Sequence, residues 1–244
     1  MKEDIKNIIF QKNDWDSKQL GLSCGFIDCS TDFDKIDQSM ILDQIENLIK
    51  KNEDITFTTI KLHYTFIDIL KRLKKGHINY IDTEFIYRCN TLPEKINSAN
   101  VHFFDTYDPD FFSPLALEMK WSRFFLDNRI PKEKAQSLWR ESIKNYCRGR
   151  SHKLAIAFWE DNPAGIVTIN FENDKTIKLF IVGVLPEFQK KGIGTDLMQA
   201  IINKYKEKYE IFVEASSRNI GAQKLYEKTG FELYHMRYIL HLIR

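Results

Sequence analysis

Val182-Gly183-Val184-Leu185-Pro186-Glu187-Phe188-Gln189-Lys190-Lys191-Gly192-Ile193-Gly194 is the stretch whose reading decides the fold. An apolar, strand-like run breaks at Pro186 into a basic turn punctuated by two glycines. A helical pattern follows, with Leu197, Met198, Ile201, Ile202 and Tyr205 on one face. Gly192 and Gly194 lack Cβ, so the backbone there can bring its amides close to an anion. A helix that starts at this point leaves its first N–H groups unpaired and turns its positive dipole end to the same spot. Lys190 and Lys191 add charge. One dipole contribution is worth only about 0.3–1 kcal/mol, so several amides must act together to hold a pyrophosphate. The spacing fits neither the dinucleotide pattern G-x-G-x-x-G nor the P-loop G-x-x-x-x-G-K-S/T.

Q-x-x-G-x-G, preceded by Val-x-Val-x-Pro, instead resembles the acetyl-CoA loop of the GCN5-related N-acetyltransferase (GNAT) superfamily. Further on, Val213-Glu214-Ala215-Ser216-Ser217-Arg218-Asn219-Ile220-Gly221-Ala222-Gln223-Lys224-Leu225-Tyr226-Glu227-Lys228-Thr229-Gly230-Phe231 resembles the second signature of the same superfamily: a strand, an Asn, a short helix and a closing strand. Asn219 and Tyr226 are close to two helical turns apart and can share a side, Gly230 suits a left-handed helix end, and Phe231 packs inward. The resemblance implies an α/β (α+β) GNAT fold, a mixed, mostly antiparallel sheet flanked by helices. It implies acetyl-CoA as co-substrate, with the pantetheine arm along Val182, Gly183 and Val184. The pyrophosphate would lie on the loop of Gln189, Lys190, Lys191, Gly192, Ile193, Gly194 and Thr195, and Asn219 would bond the arm. Gln189 stands where Arg is more usual, one charge fewer.

Acetyl transfer requires an uncharged amine, stabilisation of the carbonyl oxygen and a proton for the departing thiolate. The resemblance puts Tyr226 in the general-acid position. Glu214 is either a base acting through water or a solvated carboxylate at a strand end, and both readings stay open.

Composition narrows the remaining classes. The chain has 244 residues, 43% hydrophobic and 29% charged, as in an ordinary globular protein. Its 36 basic and 34 acidic residues leave a net charge of +2, which provides no broad field for nucleic acid or an anionic membrane. Cys24, Cys29, Cys89 and Cys147 form no C-x-x-C pair, so free thiols and no metal site are expected. Met1 to Asn7 carries acid early and lacks a signal-peptide core, and no apolar run approaches the roughly 18 residues of a membrane span. A cytoplasmic protein is expected, with a homodimer left open.

Two domains are expected, 1–95 and 100–244. Proline and small polar residues between Thr91 and Asn100 suggest the linker. Before it the pattern predicts a helix through Ile41, Ile45, Leu48 and Ile49, a strand over Ile55–Leu62, a helix through Phe66 to Leu73 ending near Gly76, and a strand over Phe85–Cys89. After it come a helix over Pro131–Arg148 and a meander of strands at Leu154–Trp159, Gly165–Phe171 and Ile177–Val184. Leu73-Lys74-Lys75-Gly76-His77-Ile78-Asn79-Tyr80 echoes the helix–glycine–strand junction of Tyr226 to Leu233, which suggests that the first domain is a degenerate GNAT-like half without a CoA loop.

Two segments outside the shared motifs bear on the acceptor. W-D-S-x-x-x-G, at Trp15 to Gly21, and S-R-F-x-x-D-x-R-I-P, at Ser122 to Pro131, resemble the dTDP-fucosamine acetyltransferase family, two-domain GNAT proteins that acetylate a dTDP-linked 4-amino-4,6-dideoxygalactose. That resemblance implies a nucleotide amino sugar as acceptor. Trp15, Arg123, Phe124 and Arg129 are the candidate contacts, since arginine can clamp a diphosphate and an aromatic face can meet a base or a methyl group. Phe125 stands where relatives often carry His, which leaves the sugar open. A GNAT that acetylates a protein N-terminus or another small amine, and a non-catalytic CoA-binding module, are the alternatives.

Overall fold

The computed structural model describes residues 8–30, 38–73, 77–90 and 100–244. The chain forms two compact units, and the division differs from the expected 1–95 and 100–244. The N-terminal unit takes residues 1–84 together with Leu126–Arg129 and Met236–Arg244, and the C-terminal unit takes Phe85–Phe125 and Ile130–His235. The boundary falls at Glu84, inside a strand, because the last strand of the chain returns to the first unit. The expected linker from Thr91 to Ala99, the N-terminal Met1 to Asn7 and the Gly76 of the echo lie outside the described residues.

In the N-terminal unit the elements are β1 (Phe10–Lys12), α1 (Asp14–Leu20), β2 (Cys24–Cys29), α2 (Gln38–Lys51), β3 (Phe57–His63), α3 (Ile67–Leu73), the first part of β4 (Ile78–Cys89) and the end of β10 (Phe231–Ile243). The strand order is β1-β2-β3-β10-β4, with β2 parallel to β3 and β10 antiparallel to β3. The Trp15–Gly21 motif is a capped helix. Asn13 Oδ1 accepts the Asp16 amide at 2.9 Å, and Gly21 closes the helix in the left-handed conformation with φ of 66°. Ile41, Leu42 and Ile45 of α2 pack with Ile69 and Leu70 of α3 over Ile27, Ile60 and Leu240.

One buried polar cluster ties the segment Leu126–Arg129 to β10. Asp127 receives Arg129 Nε and Nη2 at 2.9 and 2.8 Å, and its Oδ2 lies 2.8 Å from Nδ1 of His241. Arg129 also donates to the His241 carbonyl at 3.2 Å. Burial raises the Asp127 carboxyl pKa, but the hydrogen bonds from His241 and Arg129 outweigh it and hold the group well below the usual carboxylate range.

The C-terminal unit contains the end of β4, then β5 (Val101–Phe104), α4 (Leu115–Glu118), most of α5 (Arg123–Leu126), α6 (Lys132–Asn145), β6 (Lys153–Trp159), β7 (Asn162–Asn173), β8 (Thr176–Val184), α7 (Ile193–Tyr205), β9 (Glu210–Ser216), α8 (Ile220–Lys228) and the start of β10. Its order is β10-β4-β9-β8-β7-β6-β5. Strands β6 to β8 form the expected antiparallel meander, β5 adds antiparallel to β6, and β8 pairs parallel with β9 across α7. Glu160 and Asp161, at φ of 47° and 65°, make the tight β6–β7 turn, so β7 already begins at Asn162. One sheet face packs on α7 through Leu197, Met198, Ile201 and Ile202. Leu115, Ile143 and Tyr146 cover Ile166, Ile181 and Leu185 on the other.

Replacing Asp127 with Ala leaves the buried end of the Arg129 guanidinium without its counter-charge and Nδ1 of His241 without its partner, and a loss of about 3–5 kcal/mol is expected in urea unfolding at pH 7. Because the native carboxyl titrates below its unfolded value of about 3.9, its contribution is complete above that pH and lost progressively as pH falls below it. Urea titrations of wild type and Asp127→Ala between pH 3 and 7 should therefore converge toward the acid end.

Candidate functional site

The site in the C-terminal unit starts from an irregularity in β8. Val167 pairs with Val182 and Ile169 with Leu179, so β8 holds one residue more than β7 across the same interval. This is a β-bulge at Phe180 and Ile181. The Ile181 amide, displaced from the ladder, donates to Thr168 Oγ1 at 2.9 Å. The bulge swings the rest of β8 away from its parallel neighbour, and β8–β9 pairing runs from Thr176↔Glu210 only to Leu179↔Val213, although both strands continue.

Beyond that point a gap opens between β8 and β9. The Leu185 amide bonds the Ala164 carbonyl, so by alternation Gly183 also faces β7, and Val182 and Val184 turn their main-chain groups to the gap. Their side chains pack toward α7. Gly183 was expected to admit the cofactor, but a Cβ there would come within 2.8 Å of Leu115 Cδ1, so its smallness serves the packing of α4.

At the end of β8 a short 3-10 turn, Pro186–Phe188, leads into the basic loop. Lys190 and Gly192 adopt left-handed conformations with φ of 62° and 88°. Alternation of that kind turns successive N–H groups to one side and makes a concave anion nest. Among the described residues, the amides of Lys190, Gly192, Ile193 and Gly194 donate to no acceptor, while the turn through Gln189 and Lys190 carries the Lys191 amide back toward Phe188. The series stops at Gly194, because the Thr195 amide, expected to belong to it, bonds the Gly192 carbonyl at 2.9 Å. Gly194 lets α7 sit close to α8, where an added Cβ would meet Leu225 at 3.3 Å.

The side chains of the loop are arranged differently from expectation. Gln189 Nε2 donates to the Val184 carbonyl at 3.2 Å, fastening the loop to the strand end. Lys191 Nζ lies 4.8 Å from the Trp159 ring and 5.2 Å from Phe188, held at the edge of the nest by aromatic faces. Trp159 carried no signal in the sequence, since its partner is a strand away.

Across the gap, Asn219 caps α8 through Oδ1, which accepts the Ala222 amide at 3.1 Å. Its Nδ2 has no partner among the described residues. Tyr226 is buried, edge-on to Tyr87 at 5.6 Å and tilted to Phe231 at 6.0 Å. Burial pushes its phenol well above the ordinary tyrosine value, with Tyr87 and Glu214 adding to the shift. Glu214 is ion-paired to Lys178 at 2.7 Å, so its carboxylate has a fixed cation beside it.

The four expected acceptor contacts are divided between the two units. Trp15 and Arg129 belong to the N-terminal unit, Arg123 and Phe124 to the C-terminal unit. Arg129, expected on a diphosphate, is engaged by Asp127. Phe124, expected to offer a face, is buried in the core, and the Arg123 guanidinium covers its ring at 4.1 Å. The carboxylate that engages Arg129 is two residues away, and only its second acceptor, the His241 carbonyl, is distant in sequence. Among the described residues there is no cluster of side chains suited to a metal ion, and no helix is long and apolar enough to cross a membrane.

Residues 115–231, a little under half of the chain, match the model of the Acetyltransferase (GNAT) family. A stretch of 85 residues is 32% identical to "Probable N-acetyltransferase san" of Drosophila melanogaster, covering 32% of this chain and 46% of that protein. The chain thus matches about half the length of this curated relative. Among solved structures, a functionally unknown conserved protein from Staphylococcus epidermidis is similar with a TM-score of 0.63 at 18% identity, over 94% of this chain and 88% of that one. A tandem GNAT protein from the clavulanic acid biosynthesis pathway is similar with a TM-score of 0.51 at 14% identity, over 91% and 75%. These two likenesses show the fold, a mixed sheet flanked by helices.

The nest gives a direct test. Gly192→Ala forces an L side chain into the left-handed region at a cost of about 1–2 kcal/mol, so CoA affinity measured by calorimetry should fall about tenfold. Gly192→Asn, which tolerates that conformation, should retain most of it.

Proposed function

We propose that the C-terminal unit is an acetyl-CoA-dependent N-acetyltransferase. The gap between β8 and β9, ending in a nest of undonated amides, is the observation that carries this reading. The main chain of Val182 and Val184 would align the pantetheine arm, with Asn219 Nδ2 donating from the opposite side, and the amides of Lys190, Gly192, Ile193 and Gly194 would hold the pyrophosphate. The match of residues 115–231 to the Acetyltransferase (GNAT) family and the likeness to a probable N-acetyltransferase of Drosophila melanogaster support the same reading.

For the transfer itself, an acceptor amine attacks the thioester carbonyl and the C–S bond breaks. Tyr226 is the group assigned to the leaving sulfur. A phenol raised above its ordinary value of about 10 is a weaker acid than a thiol near 8.5, so complete proton transfer from it is uphill. Tyr226 therefore acts by donating a hydrogen bond to the sulfur as charge develops there. Glu214, beside the gap, is assigned the amine proton through a water, with Lys178 fixing its position.

The acceptor proposed is a nucleotide-linked amino-deoxysugar of the dTDP type, on the strength of the Trp15–Gly21 and Ser122–Pro131 segments. The N-terminal unit is proposed to be a degenerate GNAT-like half. Its run β2-α2-β3-α3-β4, with β2 parallel to β3, has the same succession as β8-α7-β9-α8-β10. Yet β2 and β3 stay paired from Cys24↔Phe57 to Cys29↔Leu62 without a register shift, so no pantetheine gap opens there.

Thiol release from acetyl-CoA, followed with DTNB against dTDP- and UDP-amino sugars, free amines and peptides, tests the whole reading. Turnover with the nucleotide amino sugars is expected; turnover with peptides alone sinks the sugar assignment, and CoA binding without turnover of any amine favours a binding module. Tyr226→Phe should lower kcat by at least about tenfold with little change in acetyl-CoA affinity, and equal activity would remove Tyr226 from the mechanism. Since the phenol is held above its ordinary value, no loss of activity from its ionisation is expected as pH rises toward about 10.

A further inference from the structure

The bulge that opens the gap also presents a large apolar side chain to solvent. Phe180 is 45% exposed, unusual for a ring in the middle of a nine-residue strand of the sheet. Residues before the bulge alternate normally, with Ile177 and Leu179 buried toward α7 and Lys178 and Phe180 on the opposite face. Ile181 also lies on that opposite face, among Leu115, Ile143 and Tyr146. The extra residue therefore keeps Phe180 out of the α7 core and beside α6.

There the ring is fixed. It stacks on Tyr146 with centroids 5.0 Å apart and an interplanar angle of 23°. Tyr146 is itself held in place: its carbonyl accepts Ser151 Oγ at 3.0 Å, and it opens a π turn running to Arg150. Such a turn closes the C-terminal end of α6, with Gly149 at φ of 105°. The Arg150 guanidinium lies 5.3 Å from the Tyr146 centroid. Phe180 is thus a pre-set platform with one face backed by tyrosine.

Its position matters as much as its shape. Lys178 shares its face two residues earlier, about 7 Å along the strand, and Lys178 holds Glu214 at 2.7 Å. The platform therefore stands at the point where β8 and β9 part, next to the carboxylate assigned to the acceptor amine.

We propose that Phe180, backed by Tyr146, is the acceptor subsite of the C-terminal unit, stacking the base of a nucleotide-linked substrate. This rests on the nucleotide amino-sugar reading above. Base–aromatic stacking is insensitive to which base is present, so the subsite selects for a nucleotide and leaves the sugar to other contacts.

The test uses the full chain, with TDP as a binding probe in the presence of CoA and a dTDP-amino sugar beside the free amino sugar as acceptors. Phe180→Ala and Phe180→Leu should weaken TDP binding and raise the KM of the dTDP-amino sugar by about tenfold, with the KM of acetyl-CoA and turnover of the free amino sugar unchanged. Phe180→Trp should retain the preference for the nucleotide-linked acceptor. The leucine variant preserves apolar bulk without a planar face, and a melting curve matching wild type separates loss of stacking from loss of fold. If wild type binds TDP and both variants bind it equally well, Phe180 is not the base platform and the acceptor reading stands. If wild type neither binds TDP nor prefers the nucleotide-linked amine, the acceptor reading fails and the subsite with it.

Discussion

A single displaced hydrogen bond governs the C-terminal unit. The Ile181 amide bonds a threonine hydroxyl instead of a strand carbonyl, and that exchange accommodates one extra residue in β8. Every feature of the proposed site follows from it. β8 leaves β9 after Leu179↔Val213, main-chain groups of Val182 and Val184 face a gap, and the strand delivers the chain to the basic loop at the start of α7. Buried main-chain groups without partners are costly, so a gap of this kind is stable where water or an extended ligand can satisfy them.

The nest at the end of the gap works by accumulation. No single contribution is large: one helix terminus, a run of undonated amides and two lysines, one of them set over Trp159 and Phe188. Together they suit a diphosphate, whose oxygens can reach several amides at once. Tyr226 is set in the opposite environment, buried among rings, where a neutral phenol is favoured over its anion. An anion site and a neutral hydrogen-bond donor are the two electrostatic conditions that thioester transfer asks of the protein.

The two units use the same succession of elements to different ends. In the N-terminal unit β2 and β3 remain paired along their length, and polar side chains serve to tie segments distant in sequence, as Asp127 does with Arg129 and His241. This explains why the Ser122–Pro131 motif was only half legible. Its spacing suggested a ligand clamp, yet the Arg129 guanidinium finds its carboxylate two residues away and a carbonyl far along the chain. Phe124 misled in the same way, since burial depends on what packs over a ring and not on its neighbours in sequence.

By itself the sequence determined the local events: the strand broken at Pro186, the glycines before α7, the Asn219 cap, the Gly230 helix end and the meander of β6 to β8. Each depends on residues close together in the chain, through backbone freedom, capping and periodicity. Tertiary structure alone decided the bulge, the extent of the gap, the end of the amide series at Thr195, the return of β10 to the first unit and the stacking of Phe180 on Tyr146. These depend on register between strands and on which side chains meet across the sheet. A one-residue offset in pairing changes them all while leaving every local signal in place.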